Sequence, residues 1–227
     1  MMRNAQVIVS ALLLGALGAA QARAAVIVNV DLATFGGVFN GTGAAPSAGT
    51  FWNNLPGPGG GINDLLADDG VTTTPFDISL QGWTGQFQYP GANLLMQWRL
   101  FGPDNGTAFI DLAGLDPARQ YDLYLYGSFW DATYSVPGLG PETATGDSLT
   151  TVWVEGDQYV LLQGAMPALD GTLTVTVSAG GSGAGQWTVV SGLQIVELSA
   201  VPEPGSLMLV GMGLAGLAGT RWRRRAR

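Results

Sequence analysis

The chain has 227 residues, 35 of them glycine, and contains no cysteine, no histidine and no lysine. Sixteen of its 17 acids but only two arginines, Arg99 and Arg119, lie within residues 25–199, which leaves that stretch at −14 while the whole chain stands at −8. Such a stretch repels phosphates and anionic headgroups, which excludes nucleic acid as a partner, and the missing residue types exclude disulfide bracing, Ser-His-Asp catalysis and the usual zinc sites.

In chain order, Arg3, the apolar run Val7–Ala20 and the small-x-small triplet Ala22-Arg23-Ala24 form an export signal. Cleavage after Ala24, with Ala20-Gln21-Ala22 as the second choice, makes 1–24 a signal peptide and starts the mature protein near Ala25. The body, 25–199, reads as strands. Val26–Leu32, Phe76–Leu80, Leu94–Phe101, Thr107–Leu112 and Tyr121–Tyr126 alternate or are rich in β-favouring residues. Leu149–Val154 and Tyr159–Leu162 are placed to pair across Glu155-Gly156-Asp157. Leu173, Val175 and Val177 alternate with threonines, and Trp187–Leu198 holds a last strand or two with a bend at Gly192. Turn signals such as Pro103-Asp104-Asn105-Gly106 and Asp170-Gly171 separate these runs. The one helical candidate is Ile62–Ala67. About nine short strands predict an all-β body, an antiparallel two-sheet sandwich.

The end of the chain has a different composition. Val201-Pro202-Glu203-Pro204-Gly205 is followed by the apolar run Leu207–Ala218 and then by Arg221, Arg223, Arg224, Arg225 and Arg227. The uncharged stretch predicts a single transmembrane helix, and the arginines a cytoplasmic C-terminus that acts as a membrane stop. An export signal at one end with Pro-Glu-Pro, a hydrophobic helix and an arginine cluster at the other resembles the PEP-CTERM proteins of Gram-negative bacteria. The resemblance implies that 200–227 is a sorting tail, with Pro202, Glu203 and Pro204 as the recognition element of an exosortase-type membrane protease. It implies an inner-membrane anchor in transit, followed by the cell surface or extracellular matrix. In the body, Phe51-Trp52-Asn53-Asn54-Leu55, Ala113-Gly114-Leu115-Asp116-Pro117 before Tyr121, Asp170-Gly171-Thr172-Leu173 and Ser191-Gly192-Leu193 resemble exported jelly-roll domains related to galactose-binding modules. That resemblance implies a sandwich of jelly-roll type.

Sugars stack on aromatic rings while acids and amides take their hydroxyls. Two clusters have that composition: Trp52 with Asn53, and Trp130 with Asp131 and Tyr134. The same rings could equally plug the ends of a core. Asp31 in the first strand and Glu197 in the last would share a structural calcium if strand pairing brought them together, and Asp64, Asp68 and Asp69 cluster without the spacing of a calcium loop; a solvated acidic surface is the other reading. No cofactor besides that calcium is implied. The expectation is a non-enzymatic, exported protein with a structural or adhesive role in an exopolysaccharide biofilm matrix. The alternative is a carbohydrate-binding module, and a more remote one is a glycoside hydrolase.

Overall fold

Strict period-two alternation sends one set of side chains to a common interior. In the computed structural model, which describes residues 26–32, 37, 39–55, 57–88, 94–127, 130–146, 152–180 and 186–198, fourteen strands and one helical turn follow in this order. They are β1 (Ile27–Asp31), β2 (Asn53–Asn54), β3 (Gly61–Ile62), β4 (Asp77–Gln81), β5 (Gly85–Gln88), the turn α1 (Leu94–Gln97), β6 (Trp98–Asp104), β7 (Thr107–Ala113), β8 (Tyr121–Tyr126), β9 (Ala132–Ser135), β10 (Glu142–Ala144), β11 (Tyr159–Ala165), β12 (Leu173–Ala179), β13 (Trp187–Val190) and β14 (Gly192–Glu197). The signal peptide expected at 1–24 and the sorting tail expected at 200–227, with Pro202, Glu203, Pro204, Arg221, Arg223, Arg224 and Arg225, lie outside the described residues. Among the described residues no helix is long and apolar enough to cross a membrane.

The first sheet runs β11-β8-β14-β1-β2, the second β10-β9-β12-β7-β4-β3, and a small third sheet β13-β6-β5. All pairings are antiparallel except the short β1–β2 contact. Val28, Val30, Leu123, Leu125, Val160, Leu193 and Ile195 of the first sheet meet Ile78, Leu80, Ile110, Leu112, Val175 and Val177 of the second in one buried cluster. The body is therefore a β-sandwich. Burial of these side chains contributes about 1.5–3 kcal/mol for each large one, which is the main force holding a chain with no disulfide. From β7 onward the chain passes repeatedly between sheets: β8 joins the first, β9 and β10 the second, β11 the first, β12 the second, β13 the third and β14 the first.

Three expectations from sequence need correction. Ile62–Ala67 is not helical: Ile62 pairs with Ile78 in β4, Leu66 bridges Thr73, and Asp64 sits at φ 54°. The extended path seats Leu65 in the core. Leu94–Phe101 is strand only from Trp98, after one turn of helix that buries Leu95 and Met96. β11 pairs with β8, not with a strand at 149–154; the described residues of that stretch, 152–154, lie outside any strand.

The bend expected at Gly192 is present. Ser191 interrupts β13 and β14, donating to Tyr126 O at 2.8 Å while its own carbonyl accepts from Leu32 N at 3.0 Å. A Cβ at Gly192 would stand 2.8 Å from Leu95 Cδ1 and 3.2 Å from Val30 O, so a side chain there would require Leu95 to shift. Gly114, at φ 74°, brings the exit of β7 so near the Pro75 carbonyl that a Cβ there would overlap it.

Candidate functional site

The two sheets present their outer faces differently. On the first sheet the outward residues are Asn29, Tyr124, Tyr126, Leu161, Gln194 and Val196, and the segment 39–52 covers the middle of them. Trp52 is the keystone of this roof. It is 2 % exposed, donates Nε1 to Gly41 O at 2.9 Å, and meets Phe39 and Tyr126 edge-on with ring centroids 5.2 and 6.0 Å apart. Trp153 adds a donor to Thr42 O at 2.9 Å and a T-shaped contact with Tyr126 at 4.8 Å.

Roofing a polar face requires that its groups find partners, and they do. Gln194 Nε2 donates to Asn29 Oδ1 at 2.7 Å, while Gln194 Oε1 accepts from Ala45 N at 2.9 Å and from the Tyr126 hydroxyl. The Tyr126 oxygen accepts in turn from Ala44 N, and Asn29 Nδ2 donates to Phe51 O at 2.8 Å. Burial pushes the Tyr126 hydroxyl well above its ordinary pKa. Asn53 is also structural. Its Nδ2 donates to Asn29 O at 3.0 Å and Leu66 O at 2.7 Å, and its Oδ1 accepts from Leu66 N at 3.0 Å.

The second aromatic cluster divides. Tyr134 is fully buried and donates to Val189 O at 3.0 Å, and burial raises its hydroxyl far above the usual tyrosine range. Trp130 is half-buried at the corner of the third sheet, 6.0 Å from the Phe87 ring at a 48° tilt. Buried Arg99 lies on that corner too, with its Cζ 6.0 Å from the Phe87 centroid and Nη2 donating to Met96 O at 3.1 Å. Asp131 is half-buried beside Trp130, and its carbonyl accepts from Gly180 N at 2.7 Å. Trp52 and Trp130 belong to separate clusters, one outside the first sheet and one joined to the sandwich core, so they do not form a common pocket. Trp83, whose place was not evident from sequence, is buried and donates to Phe109 O at 2.9 Å.

The proposed calcium pair does not assemble. β1 and β14 do pair, but antiparallel, with Asp31 opposite Gly192 and Ile27 opposite Val196. Glu197 therefore stands five residues along the strand from Asp31's level, about 17 Å at strand rise. Asp31 Oδ2 accepts from Phe39 N at 3.0 Å, and Glu197 is paired with Arg119 at 3.0 Å. Asp68 Oδ2 accepts from Gly49 N, and the backbone N of Asp64 donates to Asp77 Oδ1 at 2.9 Å. Asp69 caps a turn by accepting from Val71 N, Thr72 N and Thr72 Oγ1, and the Thr72 hydroxyl in particular holds its carboxyl below the ordinary range. Among the described residues no group of three acidic side chains converges as metal ligands.

Among the described residues, no segment covers the outer face of the second sheet where β4, β7 and β12 lie side by side. Asp77, Ser79 and Gln81 of β4, Phe109 and Asp111 of β7, and Thr174 and Thr176 of β12 point outward on adjacent strands. Over part of this face lies a groove of about 400 Å³, lined by Asn63, Asp77, Ser79, Gln81, Asp111 and Thr174 among others. At its centre Asp111 Oδ1 accepts from Thr174 Oγ1 at 2.6 Å, and Oδ2 accepts from Gln81 Nε2 at 2.7 Å. Phe109 stands on the same face, 36 % exposed, between Gln81 on one neighbouring strand and Thr176 on the other. Sequence reading took this stretch as a strand and no more. The signal was present in Thr107-Ala108-Phe109-Ile110-Asp111-Leu112, where every residue on one side is apolar and the other side carries a ring and an acid two apart. A second cavity of about 290 Å³ lies where the chain enters and leaves the sandwich, beside Val26, Thr74, Asp116, Arg119 and Glu197.

A family model described as the PEP-CTERM protein-sorting motif matches residues 200–225. No curated protein matches the chain. Two solved structures do, both of an exo-β-1,3-galactanase from Phanerochaete chrysosporium, one with galactose and one a variant with β-1,3-galactotriose. Each has a TM-score of 0.30 and 14 % identity, and they cover 58 % and 61 % of this chain. The chain in turn spans 32 % and 29 % of the galactanase chains.

Proposed function

We propose that this chain, which carries a PEP-CTERM protein-sorting motif, is a non-enzymatic surface or matrix protein of a Gram-negative bacterium, with a structural or adhesive role among exopolysaccharides. The motif itself marks an exported protein, anchored in the membrane in transit, processed by an exosortase and released to the cell surface. It is the single observation that carries the reading, because it sets where the sandwich works. The switching of the chain between sheets from β7 onward supports a body of jelly-roll type. A net charge of −14 over residues 25–199 supports a self-repelling particle that stays free of anionic membranes after release.

The experiment is a comparison of intact masses. Protein recovered from the surface and matrix of wild-type cells is expected to end near Pro202-Glu203-Pro204, without the apolar run or the arginines. In cells lacking the exosortase it is expected to remain membrane-bound at its full C-terminus. Release with Arg227 still attached overturns the sorting proposal, and processed protein that never enters the matrix overturns the matrix role.

A second reading, carbohydrate binding, is favoured by the open groove on the second sheet. There Asp111 accepts from two neighbours as a fixed acceptor, the posture of a group that holds hydroxyls.

A further inference from the structure

Resting on the carbohydrate-binding reading, we propose that the outer face of the second sheet binds a neutral, hydroxyl-rich glycan, with Phe109 as the stacking platform and Asp111 as the central acceptor. This is neither of the aromatic clusters that composition singles out. Trp52 and Tyr134 are enclosed, and a ring with no free face cannot stack a ligand.

The groove's volume of about 400 Å³ falls within the range of small-molecule sites, about 300–1,000 Å³. Its lining offers hydroxyls from Ser79 and Thr174, amides from Asn63 and Gln81, and carboxylates from Asp77 and Asp111. That mixture of donors and acceptors, set beside the apolar backbone and side-chain edges of Ile78, Leu112 and Ala113, matches a sugar, which carries both hydroxyls and C–H faces. Each carboxylate oxygen of Asp111 accepts one internal hydrogen bond and keeps a second acceptor site. Because Thr174 and Gln81 already hold it, little side-chain freedom remains to be lost when a ligand hydroxyl arrives.

Charge selects among glycans. Among the described residues no basic side chain lines the groove, and the only basic residues are enclosed Arg99 and paired Arg119. Two carboxylates in the groove repel uronates, sulfates and phosphates, so the ligand is neutral. Phe109 lies two residues from Asp111 along β7, about 7 Å at strand rise. A chain of sugar units can therefore stack one ring on Phe109 while the next places its hydroxyls over Asp111, along a flat strip that extends past Thr176.

The test uses the mature protein purified from its producing cells, on a glycan array carrying neutral hexose oligosaccharides and uronate-containing oligosaccharides. Binding is expected only among the neutral probes. Phe109→Ala and Asp111→Asn are each expected to weaken it by about tenfold or more, with unchanged circular dichroism, whereas Leu169→Ala, at an apolar tip 96 % exposed elsewhere, leaves it unchanged. Because Asp111→Asn preserves shape and Phe109→Ala removes an exposed ring, loss in both without loss of fold supports the assignment. Preference for uronates, or neutral-glycan binding that survives both substitutions, overturns the groove while leaving carbohydrate binding standing. No binding to any probe overturns both.

Discussion

The outer faces of the two large sheets start from the same alternation and end differently. On the first sheet, segment 39–52 lies over Tyr126, Gln194 and Asn29, and every polar group beneath it is committed to a partner within the protein. On the second sheet, Ser79, Gln81, Phe109, Asp111 and Thr174 face solvent in a groove or at its edge. A tryptophan beside asparagines is therefore a stabilising feature where it belongs to a roof, and a phenylalanine two residues from an aspartate becomes a candidate contact where no described residue covers it.

The comparison can be broken first by pH. Tyr126 and Tyr134 are held far above the ordinary tyrosine pKa by burial, and burial likewise pushes Tyr121 up to about 12. A raised folded-state pKa contributes stability that is fully present below the unfolded value of about 10 and is lost as pH climbs through the folded one. Cooperative unfolding is thus expected between pH 10 and about 12, with tyrosinate absorbance rising in step with the loss of circular dichroism. Tyrosinate forming while the fold stays intact would mean that the enclosed rings are accessible.

The next largest effect belongs to the roof. Trp52→Ala should cost about 3–5 kcal/mol in chemical denaturation, as for a buried aromatic whose site cannot collapse. Gln194→Ala should cost about 2–3 kcal/mol, because Ala45 N, the Tyr126 hydroxyl and Asn29 Oδ1 all lose a partner at once. A combined loss in the double variant smaller than the sum is expected, since both residues act on the same segment. The smallest effect lies on the open face, where Ser79→Ala should change stability by less than about 0.5 kcal/mol. A large loss there would mean that this face too is covered.

Much of the fold can be read from the residues. Leu173, Val175 and Val177 against threonines, and Leu123 and Leu125 within β8, are inward sets that the sandwich uses as expected. The tail is legible because grease and guanidinium side by side have few other physical uses. The site was less so. Whether an outward face is roofed depends on where a loop fifteen or more residues away comes to rest, which no local period encodes. One clue did lie in the sequence: the outward residues of β8 and β11 include Tyr124, Tyr126 and Leu161, which water would leave exposed at a cost, while those of β4 and β12 are serine, threonine, glutamine and aspartate. The calcium pair failed for a related reason. The first and last strands do pair, but the antiparallel direction sets the two acids at opposite ends of the ladder.

The division of labour between the two faces is tested most directly by hydrogen exchange, read by mass spectrometry, on the mature protein with and without the best-binding neutral oligosaccharide. Protection is expected in peptides spanning 77–81, 107–113 and 173–179, with segment 39–52 already slow and unchanged. Protection gained by 39–52 or by the corner at Trp130, with the second sheet unaffected, would contradict it.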